Sequence, residues 1–435
     1  MKGKNKTFAL VEIAIVLCSM FLVALPAMGI AAEQNQEMLS VSKTASEDGF
    51  VLGIYGNANE DDAIDMRDVT FTARITLWLE DETTLADANF DGDVDVGDMT
   101  QIGLIILNRE SELTLIDHAD RTVTVSRPVE RLICTLSHHA EALRILGVSK
   151  DTLVGVPSNL DPDFFPEFDD VTEIGDEPWN ADVELVLALG PDVVILPSCG
   201  GPYGYTADEE TKLLESAGVT VLRFCFNQPE TFPEELEKYG YVFGKKEAAG
   251  EFIDWHNAIL DSIEEELSGA DRKRVYCEYD PYMISKSDDE LIAAAGGEDL
   301  FEDQEGEVSG EVVMSTNPEI IIRAVWHGET GYGLDTDDTG RLEGIRAEIV
   351  ERLGTLSAVE EGEVYIISSQ LWPYLPSSGC RSFVGLCYLA KWFHPERFDE
   401  FEPQAIHQEY LTRFQGLDID LEEQGVFVYH KEEGS

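Results

Sequence analysis

The sequence predicts an α/β protein of two αβ lobes, each with a central sheet, joined by one long helix and preceded by a small all-α module. Three observations carry this reading. Apolar β-runs alternate with helical periodicity in two separate series. A strandless amphipathic stretch, residues 232–267, divides the series. An acidic twelve-residue pattern occurs twice ahead of both, thirty residues apart (87 − 57 = 30).

At 435 residues the chain exceeds one ordinary core. Lys2, Lys4 and Lys6 precede an apolar run, Phe8 to Ala27, whose one charge is Glu12, and small residues follow in "PAMGIAA". Residues 1–32 therefore read as an export signal. The expected product is extracellular, at the cell surface or in a periplasm, soluble or tethered by its N-terminus. No later stretch is apolar over the ~20 residues that span a bilayer.

With 86 acidic residues against 30 basic ones, the formal charge is −56. That excludes a nucleic-acid binder. Arginine (17) outnumbers lysine (13). A lysine-poor, acidic surface suits strong brine, where charges are screened within ~3 Å at molar salt. Six cysteines remain beyond the signal and none forms a CxxC pair, which disfavours a zinc ribbon. Cys134, Cys225 and Cys277 lie in apolar runs and read as buried thiols, so no disulfide framework is expected.

The small module is expected over residues 50–110. Its loops read "NANEDDAIDMRD" from Asn57 and "DANFDGDVDVGD" from Asp87. Oxygen ligands fall at positions one, three, five, nine and twelve. They are Asn57, Asn59, Asp61, Asp65 and Asp68 in the first loop, and Asp87, Asn89, Asp91, Asp95 and Asp98 in the second. Position seven, Ala63 or Asp93, contributes a backbone carbonyl. Calcium takes six to eight hard oxygens, which one such loop can wrap around it. Gly92 supplies the sharp turn in the second loop, where the first has Asp62. The second site is therefore expected to be the tighter. Each loop runs into a helix-periodic segment, and the pair resembles a dockerin module. The resemblance implies calcium as the bound ion and a cohesin-like module as a candidate partner. Calcium-dependent folding alone is the alternative.

The N-terminal lobe, residues 115–231, opens on a β-hairpin and a strand at Arg131–Leu136. Helix "HHAEALRILG", strand "LVGV", the phrase "VELVLALGPDVVIL", helix "TKLLESAG" and strand "VTVLRF" follow. Residues 232–268 form the connecting helix, briefly interrupted near Gly244. The C-terminal lobe, 269–435, alternates strand "RVYCEY", helix "DELIAAAGG", the phrase "GEVVMSTNPEIII", strand "GEVYIIS" and two closing helices.

The two phrases match. Glu184 stands seven residues before Pro191, and Glu311 seven before Pro318 (191 − 184 = 7; 318 − 311 = 7). This layout, over Leu115 to His430, resembles the helical-backbone (class III) solute-binding proteins of iron-siderophore and cobalamin import systems. The resemblance implies a ligand held between the lobes and only a small hinge movement. It also implies that Glu184 and Glu311 dock on arginines of an ABC permease. On the residues alone, each glutamate also reads as plain first-turn decoration favoured by the helix dipole. Glu141 reads as decorative.

Candidate wall residues follow the strands: Ser137, His138, His139, Trp179, Cys199, Tyr203 and Tyr205, then Tyr279, Tyr282, Arg323, Trp326, His327, Trp372, Tyr374 and Arg381. Aromatic rings can stack on a chelate or corrin, and arginine forks suit carboxylates, phenolates or phosphate. The expected ligand is a ferric chelate of siderophore type, with a corrinoid such as cobalamin, or haem, as the alternative. A bare metal held by His138, His139 and His327 lacks a clear fourth ligand. No GxSxG elbow, HExxH helix or phosphate-cradling loop occurs, so no catalysis is expected. Because dockerins ride on polysaccharide-degrading enzymes, a cell-surface scaffold or a polysaccharide-acting protein is the reading from another class.

Overall fold

Asp65 and Asp95 each start a helix by the same device. Their carboxylates cap α1 (Met66–Thr76) and α2 (Val96–Ile106), and Asp68 and Asp98 complete the capping boxes from the third helical position. In the computed structural model the described residues are 50–175, 181–199, 206–226, 231–285, 288–325, 333, 338–372 and 379–430.

The first βα series follows in the expected order. The hairpin β1 (Glu112–Ile116) and β2 (Thr122–Ser126) pairs antiparallel, with Leu113 opposite Val125. Next come β3 (Leu132–Cys134), α3 (Ser137–Ile145), β4 (Leu153–Gly155) and α4 (Val183–Ala188). Then come β5 (Val193–Pro197), α5 (Asp208–Ser216) and β6 (Thr220–Phe224). β5 and β6 run parallel, Val193 opposite Thr220 and Pro197 opposite Phe224. β5 is buried along its whole length, as its unbroken apolar run requires.

The connecting stretch is two helices, α6 (Phe232–Val242) and α7 (Lys246–Leu267), with an elbow between them. Gly244 sits in that elbow at φ +65°, and a Cβ there would lie 2.6 Å from the Arg127 guanidinium. Only glycine meets both constraints.

The second series runs β7 (Lys273–Glu278), β8 (Met283–Ile284), α8 (Asp289–Ala294), β9 (Gly297–Asp299), β10 (Gly306–Glu307) and α9 (Gly310–Thr316). It continues with β11 (Ile320–Val325), α10 (Gly340–Leu353), α11 (Ser357–Glu361) and β12 (Val364–Ser368). It closes with α12 (Ser382–Phe393), α13 (Pro403–Glu409) and β13 (Val428–His430). Five strands form one sheet in the order β13-β12-β11-β7-β9. Its pairs are parallel except for the edge strand β13. Tyr276, Ile321, Ile349, Leu353 and Val364 form its core on one side. β5 and β6 belong to a different sheet.

The chain forms two compact units. One takes in described residues up to 132 with 190–224 and 237–246; the other takes in 133–189, 225–236 and the described residues from 247 on. Within the first, the loop module is tied to the α6–α7 elbow. Ile64 N donates to Tyr241 Oη at 3.2 Å, and Asn108 Nδ2 to Gly244 O at 3.2 Å. Lys246 Nζ donates to Ile105 O and Ile106 O, at 2.9 and 3.1 Å. Those carbonyls end α2, where a cation meets the negative end of the helix dipole.

The cysteine reading needs correction. Cys199 and Cys225 are disulfide-bonded. Cys199 lies beyond the end of β5 and Cys225 directly after β6, and neither belongs to a spacing motif that the sequence would show. Cys134, Cys277, Cys380 and Cys387 are free and buried. No helix among the described residues is long and apolar enough to cross a membrane.

Candidate functional sites

The repeated phrase builds the same object twice. Glu184 is the second residue of α4 and Glu311 the second of α9, and both are exposed. Each stands nine residues before its strand (193 − 184 = 9; 320 − 311 = 9). Between helix and strand the chain turns through a left-handed residue before the proline, Gly190 at φ +60° and Asn317 at φ +47°. The acid after the proline then grips the neighbouring strand. Asp192 Oδ2 accepts from Arg131 N at 2.9 Å, and Glu319 Oε2 from Arg274 N at 3.0 Å. The return bonds, Asp192 N to Arg131 O and Glu319 N to Arg274 O, match as well. Proline and acid thus have a structural cause. Glu184 and Glu311 are left pointing to solvent by the same frame.

Of the candidate wall residues, Trp179, Tyr203, Tyr205, Trp326, His327 and Tyr374 lie outside the described residues. Ser137, His138 and His139 open α3, and both histidines are buried. His138 Nδ1 is 3.1 Å from Cys225 O, and the His139 ring meets Phe226 edge-on at 6.3 Å. Tyr279 is half-buried at the end of β7. Trp372 is buried, its Nε1 donating to Asp288 Oδ1 at 2.7 Å.

Arg323 is engaged within its own unit. Its Nε donates to Glu278 Oε1 at 3.1 Å, and Nη2 is 3.3 Å from Glu348 Oε2. Glu278, fully buried, also receives Arg352 Nη2 at 2.5 Å, Tyr276 Oη at 2.7 Å and Tyr282 N at 3.0 Å. A carboxylate taken out of water needs donors of this kind. The sequence reading passed over Glu278, whose position at the end of an apolar strand was its signal.

Arg381 lies beside α3. Its Nε is 3.2 Å from Glu141 Oε1, and its guanidinium lies 3.8 Å over the Phe164 ring. Tyr410 Oη donates to the same glutamate oxygen. Glu141 is therefore not decorative: it is fully buried, and the helix face it occupies is the packed one. Arg381 Nη1 finds no hydrogen-bond partner among the described residues.

In the two acidic loops, the backbone folds onto the expected oxygens. Asn59 N and Asp65 N donate to the two carboxylate oxygens of Asp68, at 3.2 and 2.7 Å. Asn89 N and Asp95 N do the same to Asp98, at 3.1 and 2.7 Å. Burial pushes the Asp68 carboxyl up to about 7 and Asp98 to about 6, against the lowering effect of those bonds. Among the described residues no group of three or more His, Cys, Asp or Glu side chains is placed to hold a metal ion. A calcium ion here would draw on asparagine and main-chain oxygens besides the carboxylates. In the second loop Asp87, Asp91, Asp95 and Asp98 occupy the ligand positions of the sequence pattern, and no basic side chain pairs with them among the described residues. Ala63 and Asp93 sit at the position that offers a carbonyl.

With this geometry in view, comparison with known proteins is decisive for residues 134–371, which match the periplasmic binding protein family. The chain belongs to that family. It is a family of binding proteins, not of enzymes. A cobalamin-binding protein of Halobacterium salinarum is 26% identical over 223 residues, covering 48% of this chain and 58% of that protein. Its counterpart in a second strain matches equally. The chain thus spans about 58% of the length of the curated relatives it matches. Among solved structures, the TroA-like periplasmic binding protein FepB of Veillonella parvula superposes with a TM-score of 0.61 at 21% identity, covering 73% of this chain and 99% of that one. Molybdate-bound MolA of Haemophilus influenzae gives 0.53 at 20% identity, covering 71% and 99%. These likenesses show the fold, a TroA-like binding-protein fold of class III. The acidic loops lie outside the family match.

Proposed function

We propose that this periplasmic binding protein captures a metal-bearing organic ligand outside the cytoplasm and delivers it to an ABC permease. Of the ligand classes expected from sequence, the corrinoid is favoured by one observation, the 223-residue match to cobalamin-binding proteins. A ferric chelate is the second reading; Helicobacter pylori CeuE in its nickel–histidine complex shares the fold at TM-score 0.50 and 20% identity. Arg381, one of whose buried guanidinium nitrogens has no hydrogen-bond partner among the described residues, supports a role for that residue at an anionic group. Ser137, His138, His139, Tyr279 and Arg323 are carried as cleft candidates with it. Glu184 and Glu311 are proposed as the permease contacts, supported by their matched frames and exposure. The dockerin-like loops are proposed to bind calcium, supported by the donor set of the second loop, with a cohesin-like module as candidate partner.

Native mass spectrometry of the purified chain against cobalamins, ferric siderophores and haem tests the reading. One bound corrinoid per chain is expected. Retention of a ferric siderophore instead would select the second reading, and retention of none would refute both.

A further inference from the structure

The two acidic loops share a pattern but differ in what balances their charge. In the first, Arg67 Nη1 lies 3.0 Å from Asp61 Oδ2 and Arg67 Nε 2.9 Å from Asp65 Oδ2. These are positions five and nine, two of the three carboxylates at ligand positions. Asp61 is buried, and its other oxygen accepts from Ala63 N at 3.0 Å. Asn59 Nδ2 adds a bond to Asp61 Oδ2 at 2.7 Å. Asn57 is fully buried, its amide nitrogen donating to Leu52 O and Asp61 O, its oxygen accepting from Asp61 N.

The second loop repeats the internal bonds, with Asp93 N and Asn89 Nδ2 donating to Asp91 and Asp91 N to Asp87 Oδ1, at 3.1, 2.9 and 3.1 Å, but among the described residues no guanidinium joins them. Gly97 stands where Arg67 does (67 + 30 = 97). Asp91 and Asp95 are exposed, and no basic side chain pairs with any carboxylate of that loop among the described residues. A guanidinium seated between two would-be ligands opposes a dication at the same place by direct Coulomb repulsion. An open ring of carboxylates favours one.

We propose that Arg67 takes the cation's place in the first loop. That loop then folds without metal and serves as a fixed mount on the α6–α7 elbow through Ile64 and Tyr241, while the chain binds one calcium ion, in the second loop. This rests on the calcium reading of the second loop given above.

Equilibrium dialysis of the full-length chain against radioactive calcium in molar potassium chloride tests it. One equivalent is expected, lost in D87N/D91N and kept in D61N. Two equivalents would overturn the assignment of Arg67 while leaving the calcium reading standing; none would overturn both. A single equivalent that survives D87N/D91N and disappears in D61N also overturns it. Amide exchange over residues 57–68 supplies the second measurement. Protection there is expected to be unchanged by a chelator and to fall about tenfold in R67A, the ratio for one charge-assisted bond. Protection unaffected by R67A would contradict the proposal.

Discussion

Arg381 Nε and Glu141 Oε1 lie 3.2 Å apart with both side chains buried, joining the start of α12 to the middle of α3. Removing one partner of such a pair strands a charge away from water, at a cost of about 3–5 kcal/mol. E141Q and R381M should each lower the denaturation free energy by that order, read from denaturant unfolding in high salt. R381K should keep most of the stability yet lose the planar fork. If Arg381 also meets the ligand, R381K weakens binding more than folding; equal binding in R381K and parent would confine Arg381 to the ion pair.

Burial raises Asp299 to about 7 and Asp288 to about 6, near the Cys277 thiol. A carboxyl whose folded value lies above its unfolded one stabilises the fold in acid, fully below about 4. That contribution is lost as pH rises through the folded value, so it fades between about pH 4 and 7. D299N removes one titrating group. Its melting temperature should decline less steeply across that window than the parent's.

Lys246 begins α7 and caps the last carbonyls of α2, while Tyr241 accepts from Ile64 in the first acidic loop. The module and the elbow therefore share bonds. K246M and Y241F should each cost about 1 kcal/mol, the scale of one lost bond. The loss should appear in exchange protection of residues 96–106 for K246M and of 57–68 for Y241F. Protection lost uniformly over the chain would contradict a local tie.

The −56 formal charge makes ionic strength a stability variable. Dialysis from molar salt to a few tens of millimolar lengthens the screening distance from about 3 Å toward 15–20 Å. The chain should melt at a lower temperature there, and added potassium chloride should restore it. A melting temperature independent of salt would remove the brine reading.

Much of the fold could be read in the sequence because the strands β5, β11 and β12 are buried along their whole length. β5 is an unbroken apolar run, and β11 and β12 are apolar but for Arg323 and Ser368, so their length and spacing suffice. Pro191 and Pro318 marked turns that the structure shows to be the same turn. What stayed hidden depends on pairings across long sequence distance. Cys199 and Cys225 are disulfide-bonded, and no spacing motif in the sequence marks either. Glu141 and Glu278 looked like two more acids in an acid-rich chain, and only burial separates them from the solvated majority. Arg67 stands at no ligand position of the loop pattern; its reach back onto Asp61 is a matter of loop curvature.

The central claim is that two matched frames present Glu184 and Glu311 to a membrane partner while the ligand is held elsewhere. The direct measurement compares the parent with E184K/E311K in two assays, corrinoid or ferric-chelate affinity in solution and delivery to permease-bearing vesicles. Affinity within a factor of about two of the parent, with delivery abolished, is predicted. Loss of affinity in the double variant, or delivery that persists, contradicts the account.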